Sequence, residues 1–427
     1  MEGQYTTVDW LESLKQRGMS LGVENTKQAL ESLIGNLSNL PRTIHVAGSN
    51  GKGTLCSYLS SHLCSKGNNV TLFTSPHLFD YRERVRVNGK PISQDRLEEL
   101  LSPIRSYDDQ NGGSLTFFEV GFIASCLESI DNGGFLILET GLGGRLDATR
   151  AVPAELCILT SLSIEHSEVL GNTIEEIAFE KAMISRPKAT LLTPIYSESI
   201  RKVIAKVVQN CSRKELGEEI AACTWIECES QNYNVTELLE KACEVLGVEK
   251  SDVPASMDDT RWPCRGEFIE TSFGPKLFLD SAHNPSGMKY MFDTYFNELR
   301  LQLENQFSNC KIIFGTSPQV DMDSFVRPVQ ELVQTLPVEE LILSMPNTGR
   351  YPGVNPIELK KYEWGIEKIT CLDDISEIKD MISSSNQLII CTGSIYMLGE
   401  LVNASGLLDD DFLTIHQDYR SKNNDTS

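Results

Sequence analysis

The stretch Arg42-Thr-Ile-His-Val-Ala-Gly-Ser-Asn-Gly-Lys-Gly-Thr54 decides the fold of this chain. It begins as an apolar strand and passes through a loop that contains three glycines, Gly48, Gly51 and Gly53. Glycines let the backbone approach an anion closely, and the amide groups and dipole at the start of a helix favour negative charge. Lys52 can reach the outer phosphates of a nucleoside triphosphate, and Thr54 can face a magnesium ion. The stretch therefore predicts a site for ATP and Mg²⁺.

The loop departs from the common phosphate-binding pattern G-x-x-x-x-G-K-[ST]. Val46 occupies the position of the first glycine, and Gly53 separates Lys52 from Thr54. Taken alone, the loop is also compatible with a glycine-rich turn between a strand and a helix that carries an incidental lysine. The rest of the chain has to decide between these interpretations.

Length and charge exclude several classes of protein. A chain of 427 residues predicts two or three domains, and a net charge of -22 argues against a nucleic-acid-binding surface. The twelve cysteines are scattered without zinc-binding spacing, the first sixteen residues are mixed and charged, and no apolar run is long enough to span a bilayer. We expect a cytoplasmic monomer with no nucleic-acid or membrane partner.

Short apolar runs alternate with amphipathic stretches, which predicts an α/β fold. In the first part of the chain the predicted strands are Thr43–Ala47, Val70–Thr74, Phe135–Glu139, Leu156–Thr160 and Thr190–Thr193. The predicted helices there are Thr54–Ser65, Asp95–Tyr107, Phe117–Ser129, Thr173–Ser185 and Glu198–Asn210. A second series of strands is predicted at Leu277–Asp280, Lys311–Gly315, Glu340–Met345, Lys368–Cys371 and Gln387–Thr392.

This order predicts a P-loop-type domain whose mostly parallel sheet has helices on both faces, followed by a smaller Rossmann-like α/β domain. The prolines and aspartates around Asp252–Trp262 indicate a boundary. We place the first domain at residues 1–253, a linker at 254–264 and the second domain at 265–419. Residues 420–427 are expected to form a disordered tail.

Four residues near predicted strand ends or on a helix carry unusual chemistry. Ser75 precedes a proline after the second strand, and Glu139 ends an apolar strand, where a buried carboxylate needs a cation or a metal. His166 follows a further strand, and Lys181 lies among apolar residues on a predicted helix. Three of them also have a structural interpretation: Ser75 as a plain turn, His166 as a structural histidine, and Lys181 as a lysine that extends to water.

The glycine loop and the segments around these four residues resemble the folylpolyglutamate synthase and dihydrofolate synthase family, within the Mur ligases. The resemblance follows the order of the chain and extends from about Leu21 to Gly399. The resemblance implies an ATP-dependent carbon–nitrogen ligase that joins L-glutamate to a folate-type carboxylate through an acyl phosphate. The acceptor would be dihydropteroate or a tetrahydrofolate-type substrate. The first domain would then be the Mur ligase-type ATP-binding domain and the second the glutamate ligase domain.

The resemblance also implies roles for individual residues. The phosphate cradle would be Asn50, Gly51, Lys52, Gly53 and Thr54. Further nucleotide contacts would be Asn234, Arg265, Asp280 and His283. The ligands of one Mg²⁺ would be Ser75, Glu139 and His166, and a carbamylated Lys181 would help to organise a second. The residues lining the pterin site would be Thr116, Phe118, Glu119, Leu146, Asp147 and Ala148.

Of these, the catalytic residues would be Lys52, His166 and Lys181. One departure concerns Cys264, which replaces the glycine that is usual before the arginine. Two alternatives remain open: a Mur-type amide ligase with a different acceptor, and a nucleotide-binding regulatory module without ligase activity. A strict dependence of ATP cleavage on both acceptor and glutamate would distinguish a ligase from a regulatory module.

Overall fold

The computed structural model describes residues 6–211, 223–228, 234–271, 274–349, 352–378 and 387–415. Its strands are β1 Arg42–Ala47, β2 Val70–Phe73, β3 Val85–Val87, β4 Lys90–Pro91, β5 Phe135–Glu139, β6 Leu156–Leu159, β7 Thr190–Thr193, β8 Thr224–Glu227, β9 Arg265–Glu270, β10 Lys276–Asp280, β11 Cys310–Phe314, β12 Val338–Leu343, β13 Ile369–Cys371 and β14 Leu388–Thr392. Its α-helices are α1 Thr7–Ser13, α2 Glu24–Ile34, α3 Lys52–Ser65, α4 Gln94–Gln110, α5 Phe117–Asn132, α6 Ser167–Leu170, α7 Ile174–Ala182, α8 Glu198–Cys211, α9 Val235–Leu246, α10 Val253–Asp258, α11 Pro285–Asn305, α12 Met322–Thr335, α13 Pro356–Leu359, α14 Ile395–Ala404 and α15 Asp410–Leu413.

The described chain divides into two compact units. The first runs to Arg261 and includes Thr414 and Ile415, and the second runs from Trp262 to Leu413. The domain boundaries drawn from the sequence stay a prediction, and the tail at 420–427 lies outside the described residues. No helix in the described ranges combines the length and apolar character that crossing a membrane requires.

The first unit is built on a sheet in the order β4-β3-β2-β5-β1-β6-β7-β8. The neighbours in the series β2-β5-β1-β6-β7-β8 pair in parallel. At one edge the short β3 pairs antiparallel with both β2 and β4. The predicted mostly parallel sheet is confirmed. Strands β2, β5 and β6 are buried along their whole length, as expected for a sheet covered on both faces.

The second unit has its own sheet in the order β13-β12-β11-β14-β10-β9. Only β9 is antiparallel, and it pairs with β10. An apolar core of α11 and α12 side chains packs on this sheet around Phe278 and Phe314. The predicted second α/β domain is thus confirmed as a fold, with β9 as an edge strand that the sequence pattern did not indicate.

A buried ion pair stabilises the turn that follows β2. The carboxylate of Glu83 accepts the backbone amides of Leu78 (3.0 Å), Phe79 (2.8 Å) and Asp80 (2.8 Å). The same carboxylate lies 3.4 Å from a guanidinium nitrogen of Arg86, and both side chains are almost fully buried. Breaking a buried pair by removing one partner is costly, because a charge stays behind in a low-dielectric interior.

We therefore expect Glu83→Ala to lower the free energy of unfolding by ~3 kcal/mol, as measured by urea denaturation. Glu99→Ala is the matched control, because Glu99 pairs with Arg96 at 3.0 Å but is 67% exposed. The control should change stability by less than ~1 kcal/mol. Equal losses in the two variants would show that burial of the pair does not matter.

Candidate active site

The candidate site lies where four neighbouring strands of the first sheet end. Strands β2, β5, β1 and β6 are adjacent and parallel, so their carboxyl ends meet at one edge. Ser75 follows β2, Glu139 ends β5, the glycine loop follows β1, and His166 follows β6. The backbone amide of Ser75 donates to Glu139 Oε2 at 3.0 Å, which joins the first two of these strand ends.

The loop after β1 is shaped by residues that follow β6. A side chain at Gly48 would overlap the hydroxyl of Thr160, so glycine is required where loop and strand meet. Ser161 Oγ accepts the amide of Asn50 (3.1 Å) and donates to its carbonyl (3.0 Å). Gly51 is the N-cap residue before α3 and lies in the left-handed region (φ 82°), which glycine adopts without strain. The phosphate-binding shape predicted for this loop therefore depends on contacts distant in sequence.

Two lysines meet at one carbonyl of the loop. Lys52 Nζ donates to the carbonyl of Gly48 at 3.0 Å and to that of Ser49 at 3.2 Å. Lys181 Nζ donates to the same Gly48 carbonyl at 2.8 Å. The structure thus brings the two predicted catalytic lysines together on the loop, although they are far apart in the sequence.

Lys181 is buried, with 2% of its side chain exposed, and its ammonium lies 2.7 Å from Glu165 Oε1. Burial lowers the pKa of Lys181, and the charge of Glu165 opposes this effect. Burial acts to raise the pKa of Glu165, but the ammonium groups of Lys181 and Lys52 outweigh it and lower that pKa to about 2. Glu165 was not predicted from the sequence, where its only signal was its place directly before His166.

The predicted metal ligands have suitable chemistry. Glu139 is a nearly buried carboxylate (7% exposed), whereas the His166 side chain is 43% exposed and takes a left-handed backbone (φ 46°). In the described ranges, no group of three or more His, Cys, Asp or Glu residues is arranged to hold a metal ion. The predicted set contains only two residues of those types, and its third ligand is the hydroxyl of Ser75. Hydroxyl, carboxylate and imidazole donors together fit a divalent cation.

Two carboxylates among the residues predicted for the pterin site, Glu119 and Asp147, stabilise local structure. Glu119 and Thr116 form a capping box at the start of α5, and Glu119 also accepts the hydroxyl of Thr26 at 2.6 Å. Phe118 packs edge-on against Phe73, with 5.4 Å between ring centroids. The substrate contacts of these residues stay a prediction. The S/T-x-x-E pattern could have revealed the capping role from the sequence.

Asp147 holds together the loop after β5. Its carboxylate accepts the amide of Leu142 at 2.8 Å and the amide of Thr149 at 3.0 Å, and it also accepts the hydroxyl of Thr149. Burial raises the pKa of Asp147, and these hydrogen bonds oppose the shift. Leu146 and Ala148 flank it, so the segment predicted to line the pterin site is one well-anchored loop.

In the second unit, the three predicted nucleotide contacts lie near one another. Arg265 on β9 pairs in register with Asp280 on β10. Arg265 Nη1 lies 3.5 Å from the carbonyl of Ser281, and His283 Nδ1 lies 3.0 Å from the same oxygen. Cys264, before Arg265, is buried and has φ 57°, in the region that favours glycine. This explains why a glycine is expected at that position.

The pKa of Asp280 is raised to about 6, because burial outweighs the attraction of Arg265. A carboxyl group that binds its proton more tightly in the folded chain stabilises the fold most below pH 4. That contribution is lost as the pH rises through 6. We expect Asp280→Asn to gain about 3 kcal/mol of stability relative to the parent protein between pH 4 and pH 7. Urea denaturation of both proteins across this range measures the difference, and a pH-independent difference would contradict the assignment.

Asn234 is the N-cap of α9, and its side-chain oxygen accepts the amides of Thr236 (3.1 Å) and Glu237 (3.2 Å). Residues 229–233, directly before it, lie outside the described residues. The nucleotide contact of Asn234 therefore stays a prediction.

Curated proteins of known description are similar to the chain. The dihydrofolate synthase/folylpolyglutamate synthase of Escherichia coli is 30% identical over 304 residues, which cover 66% of this chain and 70% of that protein. The Bacillus subtilis protein of the same description is 26% identical over 435 residues, covering 92% of this chain and 96% of that protein. No protein-family model matches the sequence.

Solved structures share the fold. Escherichia coli FolC in complex with DHPP and ADP has a TM-score of 0.77 and 22% identity, covering 94% of this chain and 98% of that one. A bifunctional folylpolyglutamate synthase/dihydrofolate synthase of Yersinia pestis, complexed with AMPPNP and Mn ion, has a TM-score of 0.73 and 24% identity. It covers 93% of this chain and 98% of that one. At these identities the likeness establishes the fold.

Proposed function

Because the chain belongs to the dihydrofolate synthase/folylpolyglutamate synthase family, we propose that it joins L-glutamate to a folate-type carboxylate at the expense of ATP. The acceptor is dihydropteroate, a tetrahydrofolate-type substrate that already carries glutamate, or both. The observation that carries the proposal is the common edge at which β2, β5, β1 and β6 end, with Ser75, Glu139 and His166 beside the glycine loop. Relatives solved with ADP, or with AMPPNP and Mn, support ATP and a divalent metal as ligands.

The loop residues bind the triphosphate. Lys52, whose ammonium donates to the carbonyls of Gly48 and Ser49, turns to the outer phosphates when the nucleotide binds. The amides at the start of α3 and the dipole of that helix stabilise the same negative charge. Ser75, Glu139 and His166 hold Mg²⁺, which, when bound, offsets the repulsion between phosphates and polarises the transferred group.

A carboxylate is a poor electrophile, so the acceptor must be activated before an amide can form. Transfer of the γ-phosphoryl group to the acceptor carboxylate gives an acyl phosphate and ADP. The amine of L-glutamate then attacks the acyl carbon, phosphate leaves with the bonding electrons, and the new amide nitrogen loses a proton. Lys52 and the loop amides stabilise the negative charge that develops on the transferred phosphoryl group.

We also propose that Lys181 is carbamylated in the working enzyme and helps to hold a second Mg²⁺. The amine reacts with carbon dioxide, forms a nitrogen–carbon bond and releases a proton. A carbamate would be repelled by Glu165, which now lies 2.7 Å from the amine. Carbamylation and this ion pair therefore exclude each other. Partial rescue of Lys181→Ala by small carboxylic acids supports the modification, and an unmodified amine in protein loaded with ATP, Mg²⁺ and bicarbonate contradicts it.

The experiment that tests the function uses purified protein with ATP, Mg²⁺, L-glutamate and either dihydropteroate or a tetrahydrofolate. Mass spectrometry should detect a product one glutamyl residue heavier, and phosphate release should require both acceptor and glutamate. A different acceptor class is detected by screening amine and carboxylate pairs in the same assay. Slow ATP cleavage that depends on neither substrate would favour the regulatory module.

Two further predictions concern where and how the protein works. No disulfide joins the twelve cysteines, all of which lie in the described ranges, and nine of them are buried. This supports a reducing compartment, and we propose the cytoplasm. The monomeric state and the lack of nucleic-acid or membrane partners stay predictions.

A further inference from the structure

A histidine that the mechanism does not use lies in the centre of the first sheet. His45, on β1, pairs in register with Leu138 of β5 and Cys157 of β6 and has no exposed surface. Its Nε2 atom lies 2.7 Å from Thr149 Oγ1 and 2.9 Å from Thr140 Oγ1. A polar ring in a central strand is costly to bury unless it is hydrogen-bonded, and these two hydroxyl groups are its hydrogen-bond partners.

The protons in this cluster can be assigned. Thr149 Oγ1 donates its only proton to Asp147, so it must accept from His45 Nε2–H. Among the described residues His45 Nδ1 has no hydrogen-bond partner, which fits an unprotonated nitrogen. Burial and the nearby guanidinium groups of Arg186 and Arg150 lower the pKa of His45 well below its usual value. The ring is therefore neutral, with its proton on Nε2.

The chain of hydrogen bonds connects β1 to the loop that follows β5. Asp147 lies in the predicted acceptor segment and holds the loop through the amide of Leu142. The loop also packs closely on Phe118, since a Cβ added at Gly141 would lie 2.5 Å from a ring carbon of that residue. Its position beside Phe118 thus depends on Thr149, and Thr149 is fixed by His45.

We propose that His45 is a positioning residue for the pterin acceptor, acting through Thr149 on the Asp147 loop. The proposal rests on the proposed function, because it takes this loop as part of the acceptor site. It predicts a change in acceptor affinity without a matching change for ATP, since the glycine loop is shaped separately by Thr160 and Ser161.

Two substitutions distinguish the ring nitrogens. The side-chain amide of His45→Gln reaches the position of Nε2 and can donate to Thr149. The amide of His45→Asn reaches only the position of Nδ1, where no described residue is a partner. We expect His45→Asn to raise KM for dihydropteroate about tenfold, and His45→Gln to stay near the parent value. KM for ATP should be unchanged in both.

Thr149→Val tests the same link without altering the central strand, in case His45→Asn fails to fold. It should raise KM for dihydropteroate as His45→Asn does. His62→Asn is the matched control, because His62 is another buried histidine, bonded to Ser256 Oγ (3.0 Å) and to the carbonyl of Glu249 (2.6 Å). It should lower thermal stability and leave both KM values unchanged.

Calorimetric titration with dihydropteroate measures acceptor binding without turnover and separates the two hypotheses. If the parent protein binds dihydropteroate but ligates nothing, the proposed function fails, and weaker binding by His45→Asn still supports the role of His45. The inference is overturned if the parent protein binds neither dihydropteroate nor a tetrahydrofolate-type acceptor. It is also overturned if His45→Gln and His45→Asn behave alike, or if Thr149→Val binds as the parent does.

Discussion

Replacement of Gly48 by alanine is expected to reduce ATP turnover by roughly 100-fold or more, because displacement of reacting groups by about 1 Å has effects of this size. The new Cβ would overlap the hydroxyl of Thr160 and lie 3.1 Å from its backbone nitrogen. Gly48 also has φ 153°, a conformation that L-residues rarely adopt. Its carbonyl accepts hydrogen bonds from both Lys52 and Lys181, so moving the backbone would displace both lysines.

Gly67→Ala is the matched control for this substitution. Gly67 also has a positive φ (79°), but a Cβ added there would meet no atom within 4 Å. The control carries the backbone cost of losing glycine without the collision. It should keep near-normal turnover and a slightly lower melting temperature, with phosphate release and circular dichroism as the measurements. Full turnover by folded Gly48→Ala would show that the loop does not have to keep this shape.

Lys181→Met should abolish ligation and also destabilise the protein. It leaves Glu165, a carboxylate only 12% exposed, without the ammonium that lies 2.7 Å away. Removing one partner of a buried pair costs ~3 kcal/mol or more. It also removes one of the two lysine donors to the Gly48 carbonyl. Urea denaturation and glutamate-dependent phosphate release measure the two effects.

The double variant Lys181→Met/Glu165→Gln separates stability from function. Neutralising Glu165 removes the uncompensated charge, so the double variant should recover most of the lost stability. It should remain inactive, because no amine is present to contact the loop or to be carbamylated. Recovery of ligation together with stability would mean that Lys181 serves only to neutralise Glu165.

The parts of the fold that depend on local pattern were predictable from the sequence. The predicted strands of both sheets lie within two residues of the observed ones, because apolar runs bounded by turns are a strong local signal. The hairpin of β3 and β4 was missed, since strands of three and two residues show too little alternation. Edge strand β9 was missed for a related reason, since its residues are only half-buried and carry no clear pattern.

The candidate site was predictable only in part. Glycines and isolated polar residues at apolar strand ends drew attention to the loop, Glu139 and His166. Partnerships between distant residues leave no such mark. Glu165 pairs with Lys181 on another element, and a histidine inside an apolar strand, such as His45, has no visible partner in the sequence. Such contacts depend on which strands become neighbours, and the order of strands in a sheet is a property of the whole chain.

The central claim is that Ser75, Glu139 and His166 hold a divalent ion against a triphosphate bound by the glycine loop. A crystal structure of the protein with Mn²⁺ and a non-hydrolysable ATP analogue tests it most directly, because anomalous scattering locates the metal. We predict a metal peak within coordination distance of all three side chains, with the phosphates beside Gly51 and Lys52. A peak remote from Glu139 and His166, or phosphates bound away from the loop, would contradict the account.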